Sequence, residues 1–148
     1  METKRIITTL EETNQLAKTI AHFAFPGMVI GLSGDLGSGK TTFTQFFATH
    51  LGIRDIVNSP TFTILKIYPN HLPLYHMDVY RLADAGYDYE LDDYLFGTGV
   101  SVVEWYPLIQ KYLPDSILEI IITLQGEHRQ VVVKGSGMYE SIVQALIP

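Results

Sequence analysis

One stretch decides how this chain of 148 residues folds: Gly34-Asp35-Leu36-Gly37-Ser38-Gly39-Lys40-Thr41. It satisfies the pattern Gly-x-x-x-x-Gly-Lys-[Ser/Thr] at every required position. Glycines let backbone N–H groups approach phosphate oxygens, and the N-terminus of a following helix adds partial positive charge. A lysine in this position binds the β- and γ-phosphates, and the hydroxyl that follows binds Mg²⁺. The stretch therefore predicts a phosphate-binding loop between a strand and a helix.

The residues on either side of the loop fit that prediction. Residues 28–32 form a short apolar run, which is typical of a strand buried on both faces. Residues 41–51 read as a helix that buries Phe43, Phe46 and Phe47. This strand, loop and helix order is the context that the motif requires.

The rest of the chain alternates between helix and strand patterns. Thr9 and Glu12 have the spacing of a capping box, and the helix that follows carries Leu16, Ile20 and Phe23 on one face before Pro26-Gly27. Strands are predicted at residues 61–68, 74–78, 100–103, 117–124 and 130–133, and helices at residues 89–95 and 139–146. This order predicts a single α/β domain over residues 1–148, a P-loop NTPase-like three-layer fold with a mixed, mainly parallel central sheet.

Composition limits the functions that the chain can have. It has no cysteine, which excludes disulfides, thiolate zinc sites and cysteine nucleophiles. The net charge of −6 and the absence of a basic run argue against direct binding of nucleic acid. The N-terminus lacks the apolar stretch of a signal peptide, and Pro26 and Gly27 interrupt the most apolar segment. We expect a cytoplasmic protein without a membrane span.

Two acids follow predicted strands and are candidates to complete the site. Asp78 ends the strand at residues 74–78, and Glu104 directly follows the strand at residues 100–103. Ligands of such sheets bind beyond the carboxyl ends of the strands, so either acid can serve as a Mg²⁺ partner. Each can equally be a cap or a solvated turn residue. Thr61, in the segment at residues 58–63, is either a switch hydroxyl near the γ-phosphate or part of a strand entry set by Pro60.

Other polar groups have plainer interpretations. The acids between residues 84 and 93 are read as a solvated face. The five histidines show no ligand spacing and are read as structural: His22, His50, His71, His76 and His128.

Three further blocks follow the loop in order: Ser59-Pro60-Thr61-Phe62-Thr63, His76-Met77-Asp78-Val79-Tyr80-Arg81-Leu82 and Val103-Glu104-Trp105. With these blocks the sequence resembles the TsaE family. Its members are small bacterial ATPases needed to make threonylcarbamoyladenosine next to the anticodon of certain tRNAs. The resemblance spans residues 34 to 105.

The resemblance implies a role for each matching residue. Thr41 and Glu104 would hold Mg²⁺, and Asp78 would position or activate the attacking water. Together with the role of Lys40 in the loop motif, this makes Asp78 and Lys40 the expected catalytic residues. Trp105 would lie close to ATP, and the segment near residues 8–12 and Arg129 would approach the adenine. The full set expected to bind ATP comprises Gly34, Asp35, Leu36, Gly37, Ser38, Gly39, Lys40, Thr41, Thr42, Thr61, Trp105 and Arg129.

The resemblance also implies partners. These are the TsaB and TsaD proteins, which form the modification enzyme, so that tRNA is reached only through the complex. Hydrolysis would be weak in the isolated chain and strengthened by the partners. Two alternatives keep the same loop: a nucleotide-sensing binding module, and a small-molecule kinase. Four arginines and no visible lid insertion count against the kinase, and the lack of an Asn-Lys-x-Asp stretch counts against a GTPase.

Overall fold

The computed structural model describes residues 1–60 and 63–148, and seven strands in these residues form one sheet. The strands are β1 (Glu2–Ile7), β2 (Val29–Gly34), β3 (Leu65–Tyr68), β4 (Leu74–Asp78), β5 (Val100–Glu104), β6 (Leu118–Gln125) and β7 (His128–Gly135). Their spatial order is β1-β7-β6-β2-β5-β4-β3.

The centre of the sheet is parallel and its margins are antiparallel. Strands β6, β2, β5 and β4 run in the same direction. The pairs β3–β4, β6–β7 and β1–β7 are antiparallel. The mixed, mainly parallel sheet predicted from the sequence is therefore confirmed. All five residues of β5 are buried, as expected for a central strand covered on both faces.

Helices cover both faces of the sheet. They are α1 (Leu10–His22), α2 (Lys40–Leu51), α3 (Leu82–Ala85), α4 (Asp92–Leu95) and α5 (Glu140–Leu146), with 3₁₀ turns at Tyr89–Leu91, Tyr106–Tyr112 and Gly137–Tyr139. No helix in the described part of the chain is long and apolar enough to cross a membrane.

Alternate residues of the central strands point to two separate cores. On one face, Ile30 and Val102 pack with Phe43 and Phe47 of α2 in the core that also contains residues of α1 and α5. On the other face, Val103 belongs to a core with the short helices and the Tyr106–Tyr112 turn. This arrangement is the three-layer fold that the alternating pattern predicts.

The beginning of α1 confirms the capping pattern. The Thr9 hydroxyl accepts a hydrogen bond from the Glu12 N–H at 3.2 Å, and Glu12 Oε1 accepts from the Thr8 hydroxyl at 2.6 Å. The helix ends at His22, before the Pro26-Gly27 pair that was expected to end it, and Phe23 is its C-cap.

Several predicted boundaries were wrong, each for a local reason. Strand β1 was not predicted, because only Ile7 of this edge strand is buried and the apolar alternation is weak. The single helix predicted at residues 89–95 is a 3₁₀ turn followed by α4, and the short α3 was not predicted. Strand β3 begins at Leu65, and the part of its predicted range at residues 61 and 62 lies outside the described residues. Phe46 is only half-buried.

Candidate nucleotide-binding site

The glycine-rich loop lies where the middle of the sheet meets α2. Strand β2 ends at Gly34 between β5 and β6, and α2 begins six residues later at Lys40. The Ser38 N–H donates to the Asp35 carbonyl at 3.0 Å, and the Phe43 N–H donates to the Gly39 carbonyl at 2.9 Å, which starts the helix. The strand, loop and helix order expected from the motif is therefore present.

Positions within the loop differ in crowding. A Cβ atom at Gly34 would lie 2.5 Å from the Ile122 carbonyl oxygen and 2.6 Å from Ser38 Oγ, so this position has no room for a side chain. Ser38 is fully buried, and its Oγ has no hydrogen-bond partner among the described residues. Leu36, in contrast, is 97% exposed, and Asp35 is exposed beside it.

Lys40 turns its charge back toward the loop. Its Nζ donates to the Gly34 carbonyl at 2.7 Å and lies 4.7 Å from the centre of the Trp105 ring. The side chain is buried to 9% exposure, which is unusual for a lysine. The ammonium group is therefore held at the Gly34 end of the loop.

A chain of polar contacts joins α2 to the end of β5. The Ser59 hydroxyl donates to Glu104 Oε2 at 3.2 Å and lies 3.0 Å from the Thr41 hydroxyl. Because the single Ser59 proton is used by Glu104, Thr41 is the donor to Ser59. His76 Nε2 lies 2.8 Å from the same Oε2 atom of Glu104.

Glu104 stays ionised in this buried position. Burial disfavours the charge of Glu104, but the nearby His76 ring and Lys40 ammonium outweigh it, so the pKa of the carboxyl lies below its usual value. An ionised carboxylate and a threonine hydroxyl are the oxygen ligands that Mg²⁺ accepts in sites completed by phosphate and water. Thr41 and Glu104 thus fit the metal expected from the sequence.

Asp78 lies beside Glu104 with a different environment. The two residues are register partners at the ends of the parallel strands β4 and β5. Asp78 Oδ1 accepts from the Tyr80 N–H at 3.1 Å. Burial, and after it the Glu104 charge, raise the pKa of the Asp78 carboxyl above its usual value. A carboxylate made more basic in this way is suited to accept a proton.

Trp105 lines the site with an unusual backbone conformation. It is a non-glycine residue with left-handed backbone (φ 63°, ψ 31°), and its N–H donates to the Leu32 carbonyl at 3.3 Å. The ring is 38% exposed and lies 5.0 Å from the Tyr80 ring. One pocket at the loop is lined by these side chains and backbone groups: Leu36, Gly37, Gly39, Lys40, Thr41, Thr42, Ser59, Asp78, Glu104, Trp105 and Arg129.

A second cavity of about 160 Å³ adjoins the loop on its other side. Thr8, Thr9 and Leu10 form one wall, and Arg129 forms part of another. Arg129 also supports the loop, since its Nε donates to the Ser38 carbonyl at 2.6 Å. The structure thus brings together the two segments expected at the adenine end, although base binding itself stays a prediction.

The structure describes all of the predicted site residues except one. Thr61 lies outside the described residues. Among the described residues, no group of three or more His, Cys, Asp or Glu side chains is arranged to hold a metal. The solvated face predicted for the acidic segment is found only in part: Asp84, Glu90 and Asp93 are exposed, whereas Asp88 and Asp92 are half-buried.

Two contacts of the site were not predicted from the sequence. His76 was read as structural, and the structure shows in addition that it contacts Glu104. Ser59 was seen only as part of a segment. The signal for His76 was its position two residues before Asp78, because residues i and i+2 of a strand share a face.

The fold and the loop together define a P-loop fold of the α/β class. The sequence profile of the family described as "Threonylcarbamoyl adenosine biosynthesis protein TsaE" matches residues 7–131. A Bacillus subtilis protein named tRNA threonylcarbamoyladenosine biosynthesis protein TsaE is 52% identical over 139 residues, covering 92% of this chain and 88% of the relative. A Treponema pallidum protein of the same name is 36% identical over 126 residues, covering 83% of this chain and 93% of the relative.

A solved structure agrees with these sequence matches. The crystal structure of Bacillus subtilis YdiB superposes with a TM-score of 0.82 at 42% identity, covering 99% of this chain and 94% of that one. The chain therefore belongs to the TsaE family.

Proposed function

We propose that this chain is a Mg²⁺-dependent ATP-binding and ATP-hydrolysing accessory protein for threonylcarbamoyladenosine modification of tRNA, acting with the TsaB–TsaD complex. One observation carries the proposal: Lys40, Thr41, Asp78 and Glu104 line a single pocket at the phosphate-binding loop. A structural turn of similar sequence would not need a buried lysine, a buried carboxylate and a carboxyl of raised pKa together.

Each polar group of the pocket has a task in phosphoryl transfer to water. The loop N–H groups and Lys40 bind the phosphate oxygens and stabilise charge there. Thr41 and Glu104 would hold Mg²⁺, which neutralises charge on the β- and γ-phosphate oxygens. Asp78 orients the attacking water and accepts its proton, and its raised pKa suits that role.

The role in tRNA modification is supported by the names of the relatives and by the charge of the chain. Relatives with up to 52% identity are named for threonylcarbamoyladenosine biosynthesis. The chain has 10 Lys and Arg against 16 Asp and Glu, and this acidic balance does not favour direct binding of tRNA. Recruitment through TsaB and TsaD in the cytoplasm explains how an acidic protein takes part in tRNA modification without binding tRNA itself.

The test measures ATP hydrolysis by the chain alone and with TsaB and TsaD. We expect slow hydrolysis alone, stimulation by the partners, and loss of both in Lys40→Ala. The matched control is Lys66→Ala, because Lys66 is exposed on the edge strand β3. Intact ATP binding without stimulation would reject the partnership and favour a nucleotide sensor, whereas phosphate transfer to a metabolite would favour a kinase.

A further inference from the structure

His76 is a buried polar side chain that the proposed chemistry does not use. Its side chain is fully buried, and it lies in the middle of β4, paired in register with Val102 of β5. Leu74, two residues earlier, belongs to the core that contains α2, so the His76 ring faces α2 and the glycine-rich loop. Hydrophobic packing alone would favour an apolar residue here, because an imidazole must find a partner when it is buried.

The partner of His76 fixes which ring nitrogen carries a proton. Nε2 lies 2.8 Å from Glu104 Oε2. An ionised carboxylate only accepts hydrogen bonds, so Nε2 is the donor. Nδ1 has no hydrogen-bond partner among the described residues. Among the described residues, the His76 ring therefore makes a single hydrogen bond, to one oxygen of Glu104.

That oxygen is held from two sides. Ser59 Oγ donates to Oε2 at 3.2 Å, and the same hydroxyl accepts from Thr41. The contact from His76 is the shorter one and comes from β4, which is paired with both β3 and β5, whereas Ser59 lies in the segment between α2 and β3. Of the two contacts to this oxygen, the one from His76 therefore comes from a strand of the sheet.

We propose that His76 is a positioning residue for the magnesium site: its Nε2–H holds Glu104 Oε2 so that the carboxylate and the Thr41 hydroxyl face the same ion. This inference rests on the proposed function. Hydrogen-bond partners of metal-ligating carboxylates typically contribute roughly 10- to 100-fold to metal affinity, so loss of the Nε2 contact has a measurable effect on metal binding.

Two amide variants separate positioning from packing. In His76→Gln, the side-chain amide nitrogen reaches the position of Nε2 and can still donate to Glu104. In His76→Asn, the amide ends near the position of Nδ1 and cannot reach Oε2. Both variants bury one amide in the same cavity. His50→Asn is a control for histidine replacement, because His50 is exposed on α2 and contacts Asn14.

The measurement is the affinity for a non-hydrolysable ATP analogue by calorimetry, with Mg²⁺ and with EDTA. The ratio of the two dissociation constants reports the coupling between metal and nucleotide and requires no turnover. We expect the parent chain, His76→Gln and His50→Asn to have the same large ratio of dissociation constants. In His76→Asn this ratio should be about tenfold smaller, while the affinity in EDTA stays unchanged.

The outcomes against the proposal are distinct. A parent chain whose affinity does not respond to Mg²⁺ would overturn the proposed function and the role of His76 with it. A normal parent response, combined with an equal response in His76→Asn, would overturn the positioning role alone. Equal losses in the Gln and Asn variants, with melting temperatures lowered alike, would assign His76 to packing.

Discussion

Asp78 and Glu104 end neighbouring parallel strands as register partners, so their carboxyl groups meet at one edge of the sheet. Their environments push the two pKa values apart. The pKa of Asp78 is raised, by burial first, and the pKa of Glu104 is lowered because His76 and Lys40 outweigh burial. Two acids with opposite shifts suit two tasks, one accepting a proton and one binding a cation.

Replacing Asp78 tests the first of these tasks. We expect Asp78→Asn to keep ATP affinity and to slow hydrolysis by roughly 10²- to 10⁴-fold, the usual contribution of a general base. Single-turnover assays in the presence of the partners measure this step. Asp93→Asn is the control, because Asp93 is exposed on α4. An unchanged rate in Asp78→Asn would contradict the role of Asp78 as the general base.

Trp105 should report nucleotide arrival. It is the single tryptophan of the chain, and its ring lies 4.7 Å from Lys40 Nζ. We expect ATP with Mg²⁺ to change its emission because phosphate near the ammonium alters the charge beside the indole. The change should be absent in Lys40→Ala. A saturable change of equal size in that variant would mean that the signal arises elsewhere than at the phosphates.

Arg129 should matter for nucleotide affinity through the loop. Its Nε donates to the Ser38 carbonyl at 2.6 Å, and it lines both pockets next to the loop. We expect Arg129→Ala to weaken ATP binding roughly tenfold, since a hydrogen bond to a charged group contributes about 1.5–3 kcal/mol and this one is partly exposed. Calorimetry measures the change, with the exposed Arg54→Ala as control. Equal affinities would place the nucleotide away from Arg129.

The stability of the domain should depend on the α2 face. Phe47 is fully buried and stacks on Phe43 with ring centres 6.0 Å apart. We expect Phe47→Ala to lower the free energy of unfolding by about 3–5 kcal/mol. Phe46→Ala should lower it less, because Phe46 is only half-buried on the same helix. Urea denaturation of both variants gives the comparison, and similar losses would contradict this account of the core.

The sequence predicted the centre of this molecule better than its margins. The loop, β2, α2 and the strands bearing Asp78 and Glu104 have strong signals, because apolar runs and a glycine motif depend on local residues. Strand β1 was not predicted because an edge strand needs few buried residues and so leaves a weak sequence pattern. In addition, its partner strand β7 lies more than a hundred positions away in the sequence. Such pairing depends on tertiary context that local patterns do not contain.

Within the site, the sequence identified the groups but not their contacts. Asp78 and Glu104 could be named from their positions after strands. The contact from His76 to Glu104 could not be predicted without the register of β4 against β5. That register pairs Asp78 with Glu104, and His76, two residues before Asp78, lies on the same face of β4. The short helices α3 and α4 were misjudged because one or two turns give too few residues for a periodic pattern.

The crowding at Gly34 bears on how the loop would respond to random substitution. The Ile122 backbone oxygen and the Ser38 hydroxyl leave no space for a Cβ atom there. At Gly37 nothing lies within 4 Å of the corresponding position, and only the backbone angle (φ +81°) favours glycine. In a saturation library, Gly34 should therefore reject every alternative, whereas Gly37 should admit asparagine and aspartate, the residues that tolerate left-handed backbone.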